Sequence, residues 1–502
     1  MVAVLEIGAF VTSIAAGRIG DLIGRRGTLF SGAVVFTIGG AIQAFTIGFR
    51  TMVLGRLISG FGVGLLSTIV PIYQSEISPP KHRGALACAE FTVNIVGYSV
   101  SVWTDYFCSF IDSNLSWRIP LFIQCVVGAL LAAGSLLMPE SPRWLIDTNK
   151  DEQGMEVIAD LHGGDVHGTV AKAEFQEIKD KVLAERALGE GRSYKTMWKK
   201  YQRRVLLAMS SQAFAQLNGI NGIFFQLPSV LRGVANEVNS HFILCSVFEE
   251  AGWLGRQAIL MTGVNSVVYI LSTFPPWYLV DRWGRRPILL SGAVVMSFAL
   301  GFTGYFIYLD KPWTPDAVVL TVIIFNAAFG YSWGPIPWLY PPEILPLTFR
   351  VKGVSLSTAT NWAFNWIVGQ MTPYLQDMIT WRLYFMHAFF CLCSFVLVYF
   401  LYPETKGVPL EEMDYIFGEA EQKDGLPAAS PYMPYRSPHP FPKRTRNGWF
   451  SRLFSASGLD RRKRVDDESY APLRDEDRDV PEEFEMIGHE GEDVDPTLSH
   501  TR

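Results

Sequence analysis

The stretch Gly17-Arg18-Ile19-Gly20-Asp21-Leu22-Ile23-Gly24-Arg25-Arg26 decides how this chain is read. It sets a carboxylate and three guanidinium groups between two apolar runs. Its second half recurs as Asp281-Arg282-Trp283-Gly284-Arg285-Arg286, 260 residues later. Three further pairs follow in the same order. Glu76-Ile77-Ser78-Pro79 with Arg83 returns as Glu343-Ile344-Leu345-Pro346 with Arg350 after 267 residues. Trp117-Arg118 returns as Trp381-Arg382, and Pro139-Glu140 as Pro403-Glu404, both after 264. A nearly constant separation means a duplication: two halves of one design, expected to face each other across a central path.

Outward from these motifs, apolar runs of roughly 18 to 25 residues recur, long enough to cross about 30 Å of hydrocarbon. About eleven spans are expected, near 2–19, 28–48, 51–73, 84–107, 119–138, 204–226, 257–280, 288–308, 317–340, 351–373 and 383–402. Lipid cannot satisfy open backbone groups, so each must be a helix. The fold class expected is therefore all-α: a polytopic membrane protein of two pseudo-symmetric bundles. Basic clusters at Arg25-Arg26, Lys81 to Arg83, Arg282 to Arg286 and Arg350 to Lys352 alternate with loops that carry few cations. The basic set is read as cytoplasmic, which puts the C-terminus inside.

Residues 1–138 form the expected N-terminal transmembrane bundle, and 139–203 a soluble cytoplasmic linker in which 171–187 has helical spacing. Residues 204–402 form the C-terminal bundle, and 403–502 a cytoplasmic tail, largely disordered by composition. Within the tail, Trp449-Phe450 and Leu453-Phe454 lie among Lys and Arg, which leaves a solvated tail and a membrane-surface segment both open.

The 502 residues are 49% hydrophobic with a net charge of −5, which gives no bulk-charge case for nucleic acid. The six cysteines lack metal-ligand spacing and read as small packing residues. There is no phosphate loop, nucleophile elbow or zinc motif, so neither enzyme, cofactor nor metal site is expected.

The loop Gly17 to Arg26 resembles the glycine–aspartate–basic loop of the major facilitator superfamily. Gly55-Arg56, Pro139-Glu140-Ser141-Pro142-Arg143, Gly334-Pro335-Ile336-Pro337-Trp338 and Pro403-Glu404-Thr405-Lys406-Gly407 narrow the resemblance to the sugar porter family, in the style of its fungal members. It covers about residues 2–416. The resemblance implies two six-helix bundles that carry a monosaccharide or related polyol by alternating access, through facilitated diffusion or proton symport. The partners it implies are a sugar, the bilayer (the plasma membrane) and, for symport, protons; oligomeric state stays open. In that family the first basic loop follows the second span, so the first bundle is expected to be one helix short.

Two sets of charges are expected at the cytoplasmic helix ends. Asp21, Arg25, Arg26, Glu76, Arg83, Glu140 and Arg143 belong to the first half; Asp281, Arg285, Arg286, Glu343, Arg350 and Glu404 belong to the second. Unpaired charge at a membrane edge is costly, so these should pair, and an Arg fork suits a carboxylate. By resemblance such pairs act as a gate between the halves; a static topology anchor is the plainer reading. Arg56 lies inside a span, where isolated Arg is usually functional, and is the candidate proton-coupling residue. In proton-coupled relatives its partner is an Asp on the first helix.

A neutral polyol is best held by amides and an aromatic platform. Gln216, Asn221, Asn265, Asn361 and Asn365 fall in second-half spans, with Trp338 after the proline break at Pro335 and Pro337. A lone intramembrane amide more often bonds a neighbouring helix; several on pore-side helices favour a binding site. The resemblance makes Gln216, Asn221, Asn265, Trp338 and Asn361 sugar ligands. Departures from the family include Ala215 before Gln216, Phe91 in place of a fifth-helix Gln, and Phe225-Gln226 in place of a Tyr pair. The insertion at about 227–247 matches nothing in the family. It is read either as a longer outer loop or as a segment foreign to the working protein. Other readings are a sugar sensor that signals through the tail and a non-functional truncated carrier.

Overall fold

The computed structural model describes residues 2–78, 82–165, 167–187, 193–220 and 256–408, with 413 and 417. The chain divides into a compact unit, Met1–Pro427, and a second, Ala428–Arg502; every described residue belongs to the first. Asn221, the 227–247 insertion and the aromatic clusters of the tail lie outside the described residues.

All regular structure among the described residues is helical. The first half comprises α1 (Val2–Ala44), α2 (Phe49–Ile77), α3 (Arg83–Cys108) and α4 (Leu115–Ser135). Three short helices follow: α5 (Pro142–Asp147), α6 (Asp151–Leu161) and α7 (Thr169–Ala187). The second half comprises α8 (Tyr194–Leu217), α9 (Arg256–Ser272), α10 (Pro275–Leu279), α11 (Arg285–Leu309), α12 (Thr314–Tyr331), α13 (Ile336–Ile344), α14 (Arg350–Ile379) and α15 (Arg382–Leu401).

Among the described residues, eight helical segments are long and apolar enough to cross a membrane. The expected eleven spans require two further steps. α1 must be divided at Gly24, where φ of +82° interrupts the helix, and α8 and α14 must be added. Those two carry Arg203, Arg204, Arg350, Lys352 and several amides, which lower their hydropathy. Much of α14 is buried, as expected of a helix that faces protein rather than lipid.

Small residues let the first half close up. A Cβ at Gly60 would strike the Leu5 backbone, and one at Gly64 the Ala9 backbone, so α1 and α2 pack backbone to backbone. The largest apolar cluster crosses between the halves: Ile69 and Ile72 of α2 join Leu289 of α11 and Tyr340 and Ile344 of α13. The short helices have a core of their own, in which Ile146 of α5, Ile158 of α6 and Ile178 of α7 are buried together.

Prolines set the course between α12 and α13. Pro335 and Pro337 cannot donate backbone hydrogen bonds, and the chain bends at Ser332 (φ −128°, ψ −74°). Pro341, four residues on, has no N–H to give the Pro337 carbonyl, which accepts instead from Gln212 Nε2 of α8 at 2.7 Å.

Candidate functional site

Each half builds the same ionic knot. In the first, Arg25 meets Glu76 with both arms of its fork, Nε to Oε2 at 2.9 Å and Nη2 to Oε1 at 2.8 Å. Its Nη1 donates to the Gly20 carbonyl. Ser141 Oγ donates to Glu76 Oε2 at 2.5 Å. Glu140 accepts from the backbone N–H groups of Arg25 and Arg26 at 2.8 and 3.2 Å. Gly24 makes this possible, since a Cβ there would collide with the Glu140 carboxylate.

The second half repeats each of these contacts and adds a bond of 3.1 Å from Arg285 Nη1 to Asp281 Oδ1. Arg285 meets Glu343 at 3.1 and 2.6 Å, and its Nη1 donates to the Val280 carbonyl. Thr405 Oγ1 takes the place of Ser141 and donates to Glu343 Oε2 at 2.7 Å. Glu404 accepts from the backbone N–H groups of Arg285 and Arg286 at 2.9 and 3.0 Å. Gly284, at φ +101°, stands where Gly24 stands and clears the same space for Glu404. The side chains of Arg25, Glu76, Arg285 and Glu343 are all at most 8% exposed. Charges this deep are held only because each guanidinium and carboxylate satisfies the other.

The aspartates of the motif reach across the seam. Asp21 Oδ2 takes a bond of 2.5 Å from Lys352 Nζ on α14. Asp281 Oδ2 accepts from the backbone N–H of Ala85 at 3.0 Å and so caps the N-terminus of α3. Lys352 and Ala85 are each the third residue of their helix, so the two acids perform equivalent tasks with different donors. Arg350, buried at 1% exposure, acts electrostatically on Glu76 of the other half. Arg83 is buried and Arg143 half-buried. Arg26 and Arg286 donate to the Leu136 and Tyr399 carbonyls of their own halves.

The described amides are buried on α8, α9 and α14 of the second half. Gln216 Nε2 donates to Asn361 Oδ1 at 2.6 Å, which joins α8 to α14. The next residue, Trp362, donates from Nε1 to Ser67 Oγ of α2 at 3.0 Å, so this stretch of α14 faces both halves. Asn365, one turn on, is buried. Asn265 on α9 is 2% exposed, and its Oδ1 has no hydrogen-bond partner among the described residues. Its neighbour Ser266 bonds Ser99 of α3 across the seam at 2.8 Å. Trp338 is half-buried at the start of α13, beside the Pro337 carbonyl that Gln212 holds. Arg56 is half-buried on α2, and its Nε has no partner among the described residues.

Sequence reasoning passed over several participants. Lys352 counted only as a topogenic charge, and Ser141 and Thr405 only as motif letters. Gln212 precedes Gln216 by one helical turn, and that spacing was the available signal. Buried Glu6 on α1 gave none beyond being an acid in an apolar run.

A bundle of two such halves, knotted alike at one end, has the architecture of the major facilitator fold. The proton:xylose symporter XylE matches it with a TM-score of 0.71 at 24% identity, over 82% of this chain and 88% of that one. The model of the family described as sugar (and other) transporter matches residues 1–417, and the chain belongs to that family. The MFS-type transporter criB of Aspergillus cristatus is 32% identical over 425 residues, 84% of each chain. Sugar transport protein 4 of Arabidopsis thaliana is 30% identical over 431 residues, 82% of this chain and 78% of that one. The chain is thus an integral membrane protein of a transport family, not an enzyme.

Proposed function

We propose that this chain carries a monosaccharide or related polyol across the membrane by alternating access, with the buried amides as its sugar ligands. One observation carries the reading most: equivalent acids of the repeat, Asp21 and Asp281, each reach into the opposite half at the same end of the bundle. Contacts of this kind form when that end is closed and must break for it to open. They give a two-state element that a bound substrate can bias. Buried in the second half, Gln216, Asn265, Asn361 and Asn365 offer donors and acceptors without net charge, which suits hydroxyls. Trp338 supplies a flat apolar face, and Asn221 completes the set. The relatives' names point the same way, including a high-affinity glucose transporter of Kluyveromyces lactis, 29% identical over 445 residues.

In this reading, residues 1–138 and 204–402 rock against each other, 139–203 joins them on the cytoplasmic side, and 403–502 is a cytoplasmic tail. The ionic end faces the cytosol, and the membrane is the plasma membrane. Arg56 is the candidate for proton coupling. The test is uptake of labelled hexose by cells without hexose carriers of their own. Saturable uptake is expected, with losses of about tenfold or more in Asn265→Ala and in Trp338→Ala, each of which removes a ligand worth at least 1.4 kcal/mol. Full uptake by both variants would remove these residues from the site.

A further inference from the structure

Helix α8 does not start as a membrane helix. Its first turns are Tyr194-Lys195-Thr196-Met197-Trp198-Lys199-Lys200, and Tyr201, at φ −119° and ψ 27°, breaks the helix before the apolar part begins. Ser193 caps the segment by accepting from the Thr196 N–H at 3.1 Å. From Ser193 to Phe214 there is no acidic residue, while Lys195, Lys199, Lys200 and Arg203 are exposed.

The segment is strapped to both halves. The Tyr194 hydroxyl donates to the Ile14 carbonyl of α1 at 2.8 Å and lies 2.9 Å from Ser355 Oγ of α14. Beside it opens a pocket of about 690 Å³, walled by Ile14 of the first half, Leu356 of the second, and Met197 and Trp198, with Lys195 and Lys199 among its lining. Trp198 remains 39% exposed. Ile14 lies two turns before Asp21 and Leu356 one turn after Lys352, so the pocket opens at the end where the ionic knots sit.

We propose that this pocket seats an anionic phospholipid, its phosphate between Lys195 and Lys199 and its acyl chains against Ile14, Trp198 and Leu356. Apolar walls from two halves, lined in part by the stems of two exposed lysines whose flexible heads reach the rim, fit an amphipath with an anionic head. A soluble phosphate would leave the walls uncovered. Because the walls come from both halves, an occupant favours the form in which that end is closed. The binding claim stands apart from the substrate; its coupling to transport rests on the alternating-access reading.

Native mass spectrometry of the full chain with phosphatidylserine tests the site. Wild type should retain the lipid, and the Lys195→Gln/Lys199→Gln variant should bind it about thirtyfold more weakly. Trp198→Ala should also weaken it. The pair Lys311→Gln/Arg382→Gln, at the opposite end of the bundle, should not. Equal retention by the lysine variant, equal loss in the control pair, or displacement by glycerophosphoserine would each overturn the proposal. Uptake into phosphatidylcholine vesicles with and without phosphatidylserine then tests the coupling: wild type should respond to the lipid and the lysine variant should not. Wild-type uptake that ignores the lipid would overturn the coupling. Absence of uptake in both vesicles would instead overturn the transport reading and leave the mass-spectrometric result standing.

Discussion

At the scale of single residues, the knots show how a charge is kept beneath a membrane surface. Arg285 spends its donors on Glu343, Asp281 and the Val280 carbonyl, so little of its charge needs water. Glu343→Ala leaves that guanidinium buried with its main partner gone. Such a loss typically costs about 3–5 kcal/mol. The expected outcome is a clear drop in melting temperature in detergent, read by fluorescence-detected gel filtration. Arg286 is half-buried and, among the described residues, gives a single side-chain hydrogen bond, to the Tyr399 carbonyl. Its replacement by Ala should cost only about 1 kcal/mol in the same assay. The carboxylates and guanidinium groups of the knots were legible in the sequence as residues that had to pair. Which paired with which was not, because Arg25 and Glu76 lie 51 positions apart and meet only when α1 and α2 pack.

At the scale of elements, two glycines carry the joints. Gly284 leads into α11 with φ +101°, and a Cβ there would strike the Glu404 carboxylate. Gly407 has φ +71°, but no atom of the described residues lies within 4 Å of where its Cβ would stand. Gly407→Ala should therefore cost only the left-handed backbone penalty, roughly 1–2 kcal/mol. Gly284→Ala should cost more, since it also displaces Glu404 from the N-terminus of α11. Thermal unfolding of the two variants side by side checks the ranking, and an equal cost would mean that Glu404 moves aside freely. The break between α12 and α13 follows the same logic. Prolines were visible in the sequence as a place where a helix must open; that Gln212 takes up the freed carbonyl required the neighbouring helix.

At the scale of the whole molecule, what matters is how strongly the halves are held together at one end. The Asp21–Lys352 pair is partly exposed, with side chains 29% and 10% accessible, so its contribution is modest, roughly 1 kcal/mol. Asp21→Asn should then raise the population open at that end about fivefold. Thiol labelling of a Thr358→Cys reporter, buried at 1% exposure on α14, measures this from the cytoplasmic side. A charge swap, Asp21→Lys with Lys352→Asp, should return labelling toward the parent rate, whereas a purely local role for Asp21 would leave labelling unmoved.

The sequence by itself determined the helical class, the duplication and the identity of the charged and amide residues, because apolar length and repeated motifs are local properties of the chain. Tertiary structure alone decided which neighbours the polar residues of α8 and α14 find, with Gln212 on the Pro337 carbonyl and Lys352 on Asp21. It also decided that Asp21 finds a lysine where Asp281 finds a backbone amide, and that Gln216 bonds Asn361 while the Asn265 oxygen has no partner among the described residues. The reason is physical: a hydrogen-bond partner distant in sequence is chosen by the packing of helices, and small residues such as Gly24, Gly84 and Gly284 permit that packing without announcing whom they admit.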